Sequence, residues 1–218
     1  MMMKDNKWKF ILTSVVILLP ILYGLIYWNE LPEQMARHWA ADGSPNGYSS
    51  KAFVVFGLPL VLLALHLLCV YITYRDPKNK NQSKKVFGVI WWICPLVCIF
   101  SEAYVYAFAL GREFDITLMC SILLGLIFVA FGNYFPKIKQ NSTIGIRTKW
   151  TVASEKNWNA THRMGGKVWV AAGILMLASV FLPTAMIPWT IGLLLIVTIA
   201  LPIGYSYRFE KSQGESKK

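Results

Sequence analysis

Six long apolar runs limit what this chain can fold into. They cover residues 10–28, 52–74, 86–110, 116–135, 168–183 and 189–207. A helix needs about 20 apolar residues to cross about 30 Å of hydrocarbon, and each run is near that length. The chain is 56% hydrophobic and 15% charged, whereas soluble domains have about 25% charged residues. The pattern predicts an all-α membrane protein with six transmembrane helices.

Lysine and arginine are distributed unevenly between these runs. Three precede the first run, five lie between the second and third, seven lie between the fourth and fifth, and four follow the sixth. The other connections contain only Arg37, Lys51 and Arg112, so 19 of 22 basic residues fall on one side. Because cytoplasmic loops are enriched in Lys and Arg, both termini are predicted to be cytoplasmic. Membrane orientation explains the net charge of +11 better than direct nucleic-acid binding does.

The connection over residues 29–51 is predicted to lie outside the cell. Its sequence, NELPEQMARHWAADGSPNGYSSK, contains two turn signals, Asp42-Gly43 and Asn46-Gly47, which favour a compact, turn-rich loop. Two interpretations stay open. In the first, His38, Trp39 and Tyr48 form an outer recognition surface. In the second, the loop folds onto the bilayer with Trp39 as an interfacial anchor.

The connection over residues 132–167 is predicted to be cytoplasmic and is unusually rich in Asn, Thr, Trp and Gly. Thr151 is expected to cap a short helix over residues 152–163, which places Trp158 and His162 on one face. Gly165-Gly166 is expected to end that helix before the fifth run. The segment is interpreted either as a docking or gating element or as a connector on the membrane surface.

Two ionisable residues, His66 and Glu102, lie within apolar runs, where such residues indicate a function by default. They lie at about 12 Å and about 24 Å from the cytoplasmic ends of their helices, at 1.5 Å per residue. A direct pair between them is therefore not expected, and local hydrogen bonding is favoured for both. The four cysteines also lie within apolar runs and are interpreted as small buried side chains.

The sequence does not favour an enzyme. It contains no HExxH, no GxSxG and no phosphate-binding glycine loop. The three histidines are predicted outside the cell (His38), within the membrane (His66) and in the cytoplasm (His162), so they are not expected to form one metal site. No catalytic residue, metal or cofactor is predicted.

Two segments resemble the SdpI family of bacterial membrane immunity proteins. The first is LPEQMARHWAADGSPNGYSSK, which is similar to an N-terminal module of that family. The second is GNYFPKIKQNSTIGIRTKWTVASEKNWNATHRMGGKVWV, which is similar to the family's long signature. The resemblance divides the chain into an N-terminal module, residues 1–75, with the first two spans, and an SdpI-like module, residues 76–218, with the other four.

The resemblance also implies two groups of site residues. Those of the outer loop, expected to face the toxin, are His38, Trp39, Gly43, Pro45, Gly47, Tyr48 and Lys51. Those of the cytoplasmic signature, expected to dock a partner or to lock the loop, are Asn133, Asn141, Gly145, Arg147, Thr148, Trp150, Thr151, Trp158, Thr161, His162, Arg163 and Gly165.

As a function, the resemblance implies resistance to a secreted peptide toxin of the SdpC type that attacks the bacterial cell membrane. In the best-known member, the toxin-bound protein also sequesters a cytoplasmic repressor, so an ArsR-type repressor is an implied second partner. Two alternatives stay open. One is a small transporter or channel with His66 and Glu102 along its path, and the other is a membrane enzyme with its active site in the cytoplasmic segment.

The predicted orientation is testable by labelling single cysteines on intact cells with a membrane-impermeant maleimide. A cysteine placed in residues 30–51 should react, and one placed in residues 141–163 should react only after permeabilisation. Labelling of the second position but not of the first on intact cells would overturn the predicted topology.

Overall fold

The computed structural model describes residues 6–112 and 114–215 and is 77% helical. Two antiparallel strands, β1 (Gln34–Trp39) and β2 (Pro45–Ser50), form a hairpin after the first helix. The helices are α1 (Lys7–Ile26), α2 (Leu58–Arg75), α3 (Lys84–Ala109), α4 (Ile116–Tyr134), α5 (Lys149–Ala153), α6 (Glu155–Ala178) and α7 (Ile187–Glu215).

Within the described residues, six helices are long and apolar enough to cross a membrane. They are α1 to α4, α6 and α7, some of them extended by a short helical turn, so the predicted number of spans is confirmed. A π-helical turn over Phe53–Gly57 leads directly into α2. The fifth span differs from its prediction, because its helix begins at Glu155 instead of residue 168.

The chain forms two compact units. Unit 1 contains the described residues of Met1–Tyr74 and Phe87–Met119, and unit 2 contains those of Arg75–Val86 and Cys120–Lys218. Near the hairpin, the core of unit 1 consists of buried side chains from the segment between α1 and β1, from β1, from the π-helical turn and from α3. They are Leu31, Met35, Val54, Val55, Val105 and Tyr106.

Unit 2 depends on a close crossing of α4 and α6. A methyl group at Gly173 would lie 2.7 Å from the carbonyl oxygen of Gly125, and one at Gly132 would lie 2.7 Å from the backbone nitrogen of Val170. Small residues at such a crossing let two backbones approach, which is a main source of helix association in lipid. Glycine at these positions is therefore required by packing.

Three predictions about local structure were wrong. The fold is not purely helical, because the loop after α1 contains the β-hairpin. Thr148 caps α5 and Ser154 caps α6, so Thr151 is not the cap residue. Gly165-Gly166 does not end a helix, because α6 continues through both glycines to Ala178.

Candidate functional site

The hairpin presents a polar, exposed face. His38 and Tyr48 are exposed, and Tyr48 has 52% of its side chain accessible. The imidazole Nδ1 of His38 lies 2.5 Å from the Oδ1 of Asn46, across a strand pair whose register shifts on both sides of His38. Arg37 donates from Nε to the hydroxyl of Ser49 at 2.6 Å. The exposed residues of the hairpin therefore include both aromatic and hydrogen-bonding groups.

The tip of the hairpin is a tight turn. The Asp42 carboxylate accepts hydrogen bonds from the hydroxyl and the N–H of Ser44, which lower the pKa of this exposed carboxyl. Gly43 has a φ of 82°, in the left-handed region that favours glycine. Pro45 begins β2, and Gly47 lies directly against the Cβ of His38, where an added methyl group would be 2.9 Å away.

Two of the predicted outer-loop residues hold the hairpin in place. Lys51 is only 7% exposed, and its ammonium donates to the carbonyl oxygens of Trp28 and Leu31 at 3.1 and 3.2 Å. It also pairs with the carboxylate of Glu33 at 2.8 Å. Trp39 packs edge-on against Tyr104 of α3, with ring centroids 4.9 Å apart. The expected toxin contact of these two residues stays a prediction.

The two intramembrane ionisable residues of unit 1 have different surroundings. His66 is fully buried, and its Nε2 lies 3.0 Å from the hydroxyl oxygen of Thr13. Its ring also lies beside Phe10 and Trp91, at centroid distances of 6.5 and 6.0 Å. Glu102 is 1% exposed, and its Oε2 has no hydrogen-bond partner among the described residues. Local hydrogen bonding therefore accounts for the Nε2 of His66, whereas its Nδ1, like the Oε2 of Glu102, has no partner among the described residues.

In unit 2, the signature begins with a loop organised around Asn141. This side chain is fully buried, and its Oδ1 accepts from the N–H groups of Thr143 and Ile144 at 2.8 and 2.6 Å. Its Nδ2 donates to the carbonyl oxygens of Lys139 and Ile144 at 2.9 and 3.0 Å. An amide can donate and accept at once, so one side chain satisfies four backbone groups of a segment that has no regular structure.

Trp158 and His162 of α6 bond the same loop from the other side. The indole N–H of Trp158 donates to the carbonyl oxygen of Ile138 at 2.8 Å. The backbone N–H of Ile146 donates to the Nε2 of His162 at 2.9 Å, and the Nδ1 of His162 lies 2.9 Å from the carbonyl oxygen of Trp158. These partners require a neutral imidazole with its hydrogen on Nδ1. The two rings stack at 4.1 Å, as their predicted shared face requires.

Glycine is required where the loop meets His162. Gly145 has a φ of 111°, and a side chain there would run into the imidazole ring. Gly165 faces Ile146 and Pro202 in the same way. Both glycines of the signature therefore permit close contact with neighbouring side chains.

A second buried network connects the signature to α7. The hydroxyl of Thr148 lies 2.9 Å from that of Ser206, while Thr151 completes a reciprocal capping box with Thr148. Asn157 donates from Nδ2 to the carbonyl oxygen of Ser206 at 3.0 Å, and its Oδ1 accepts from the hydroxyls of Thr161 and Ser206. Thr151, Asn157 and Thr161 are all fully buried.

Asp76 and Gln82 belong to the same assembly but were not predicted. The Oδ2 of Asp76 accepts from the N–H of Ser142 at 2.7 Å. The Gln82 side chain pairs with the backbone of Lys139, as acceptor at 3.0 Å and as donor at 2.5 Å. Both residues lie in an ordinary polar connection, and the only sequence signal there is the turn-forming pair Asp76-Pro77.

The other signature residues lie at the surface of unit 2. Asn133, Arg147 and Arg163 are exposed, whereas Trp150 is half-buried beside Tyr207 with ring centroids 5.2 Å apart. The signature residues therefore fall into two sets. The buried residues fix the loop, and the exposed residues take no part in fixing it.

Together these features define a multi-pass membrane protein whose signature segment is held by specific buried hydrogen bonds. Residues 137–207 match the family model of the SdpI/YfhL protein family, and residues 15–63 match that of a domain of unknown function, DUF1648. Immunity protein SdpI of Bacillus subtilis (strain 168) is 24% identical over 209 residues, 96% of this chain and 99% of that relative. No solved structure matches the chain significantly. The resemblance to the SdpI family is confirmed.

Replacing Asn141 with alanine should loosen the signature loop. The change leaves the N–H groups of Thr143 and Ile144 and the carbonyl oxygen of Ile144 without their partner, and each such group costs about 1–3 kcal/mol when it is buried. The carbonyl oxygen of Lys139 keeps its bond from Gln82. We expect a lower melting temperature in detergent and faster tryptic cleavage at exposed Arg147. The neighbouring Ser142→Ala is the control, because Ser142 is exposed and only its backbone N–H bonds Asp76. Equal cleavage rates in both variants would contradict this role of Asn141.

Proposed function

We propose that this chain is an immunity protein of the bacterial cell membrane that protects its cell from a secreted, membrane-active peptide toxin. The observation that carries the proposal is the similarity to Immunity protein SdpI, which extends over 96% of this chain and so includes both the hairpin and the signature. In this proposal both termini are cytoplasmic, as the distribution of basic residues favours.

In this orientation the hairpin faces the medium and is the first part of the protein to meet the toxin. Its exposed His38 and Tyr48 are suited to that contact, since aromatic side chains with a polar tip favour membrane interfaces and binding surfaces. Lys51 and Trp39 support this contact surface, because they fix the hairpin to the rest of unit 1. We infer that these two residues stabilise the surface and that the exposed pair contacts the toxin.

The immunity proposal is tested by expressing the chain in a toxin-sensitive strain and measuring survival against toxin concentration. The unmutated chain should raise the lethal concentration. The double variant His38→Ala/Tyr48→Ala should lose most of this protection, because losing about 1.4 kcal/mol of contact lowers affinity about tenfold. The control is Gln34→Ala, an exposed change on the same hairpin, compared at equal membrane abundance.

The outcomes separate two claims. Unchanged killing of cells that contain the unmutated chain would remove immunity as its function. Full protection by the double variant would leave immunity intact and remove the hairpin face as the toxin contact.

We further infer that the exposed part of the signature docks a cytoplasmic repressor of the ArsR type. Arg147, Arg163 and Asn133 are all exposed, and Arg163 and Asn133 line the same surface pocket. The buried signature residues hold the loop that carries Arg147 in a fixed shape. Arginine is enriched at protein interfaces because its planar guanidinium forms several directed hydrogen bonds. The arrangement is suited to the output side of a signalling protein.

A photo-crosslinking residue at position 163 tests this docking in cells. Toxin treatment should produce a crosslink to a soluble DNA-binding protein, identified by mass spectrometry. The matched control is the same residue at position 174, which is exposed on the apolar part of α6. If both positions give the same products, or if toxin changes neither, the signature is a structural lock only.

A further inference from the structure

Unit 1 contains a cavity of about 420 Å³ between α1 and α3. Its walls are mostly apolar and include Leu19, Ile99 and Phe114, which are partly exposed. The volume lies within the range of about 300–1,000 Å³ that is typical of ligand pockets. The cavity adjoins the end of α3 that contacts the hairpin, because Trp39 packs against Tyr104 and Phe108 near that end.

Glu102 contributes a buried carboxyl group to the wall of this cavity. Two neighbouring donors are already used. The hydroxyl of Tyr106 donates to the carbonyl oxygen of Pro20 at 3.1 Å. The thiol of Cys98 likewise donates to the carbonyl oxygen of Ile17 at 3.4 Å. The Oε2 of Glu102 is therefore left without a partner among the described residues. A buried carboxyl group in this state is costly unless something else pairs with it.

We propose that this cavity binds an apolar peptide segment that carries a lysine ammonium group, and that Glu102 recognises the ammonium. The proposal rests on the proposed function, since the segment would belong to the toxin. The apolar walls accept aliphatic side chains, while the lysine ammonium is the positively charged hydrogen-bond donor that the Glu102 carboxyl group lacks. Arg112, which also lines the cavity, can donate to a carbonyl oxygen of the bound segment.

Peptide binding to the purified full-length chain in lipid nanodiscs tests this site. The probe is a fluorescent seven-residue peptide, acetyl-LALKLAL-amide, and its counterpart has norleucine in place of lysine. Norleucine keeps the aliphatic chain but lacks the ammonium. Binding is measured by fluorescence anisotropy, with empty nanodiscs as the baseline. The unmutated chain should bind the lysine peptide at least tenfold more tightly than the norleucine peptide.

Three variants assign that preference to the cavity. Glu102→Gln is nearly isosteric and should reduce the tenfold preference to about one. Ala103→Leu places a larger side chain in the wall and so narrows the cavity, and it should weaken binding of both peptides. Leu96→Ala, at a position 56% exposed on α3 and outside the cavity wall, should leave both affinities unchanged.

The proposal is wrong if the unmutated chain binds the two peptides equally, or if Glu102→Gln keeps the preference while eluting as the same monodisperse species. Failure of this site and failure of the proposed function give different results. Protection in cells without any lysine preference would remove the site and keep immunity. A lysine preference without protection would keep the peptide site and remove immunity.

Discussion

The backbone between Ile138 and Thr148 forms neither helix nor strand, and the hydrogen bonds that it requires determine much of the rest of unit 2. Backbone groups that are buried in a protein have to be paired within it, because an unpaired buried group costs about as much as a lost hydrogen bond. Asn141, Trp158 and His162 supply the partners that a helix would provide internally. The spacing of the signature follows from this requirement, since Trp158 and His162 lie one turn apart on the face of α6 that meets the loop.

The same constraint explains the position of Lys51 in unit 1. α1 ends at Ile26, and the chain between it and β1 has no helix or strand to pair its carbonyl oxygens. The buried ammonium of Lys51 donates to two of these oxygens, those of Trp28 and Leu31. A lysine at the end of the hairpin thus has a structural reason to be present, whatever the hairpin binds.

The six spans could be predicted because apolar runs of the required length leave the chain few alternatives. Two local features could not be predicted in the same way. Gly165-Gly166 suggested a helix end, since each glycine costs a helix about 1 kcal/mol. That cost is outweighed by packing, because a methyl group at Gly166 would lie 2.6 Å from the carbonyl oxygen of Gly132. Such a contact joins residues far apart in sequence, so local propensity does not reveal it.

The hairpin shows a different limit. Its turn signals, Asp42-Gly43 and Asn46-Gly47, indicated reversals, but β1 and β2 have no alternating apolar face that would identify strands. The hairpin is instead held by packing, because Met35 of β1 and Leu31 just before it are buried in the core of unit 1. Asp76 and Gln82 were missed for a related reason, since their partners lie 57 or more residues away.

The bonding of the signature also restricts the signalling role that we propose for it. A ligand shifts a conformational equilibrium only by its difference in affinity between two states, and moving a population from 1:99 to 99:1 takes about 5.5 kcal/mol. Opening the loop would break four bonds of Asn141 and those of Trp158 and His162, each worth about 1 kcal/mol net. At about 6 kcal/mol for these six bonds, opening the loop would cost more than that entire shift in population. In the proposed signalling role, a repressor would therefore be docked more readily by the exposed arginines on the intact segment, and the signal would be a shift of packed helices that leaves the loop closed.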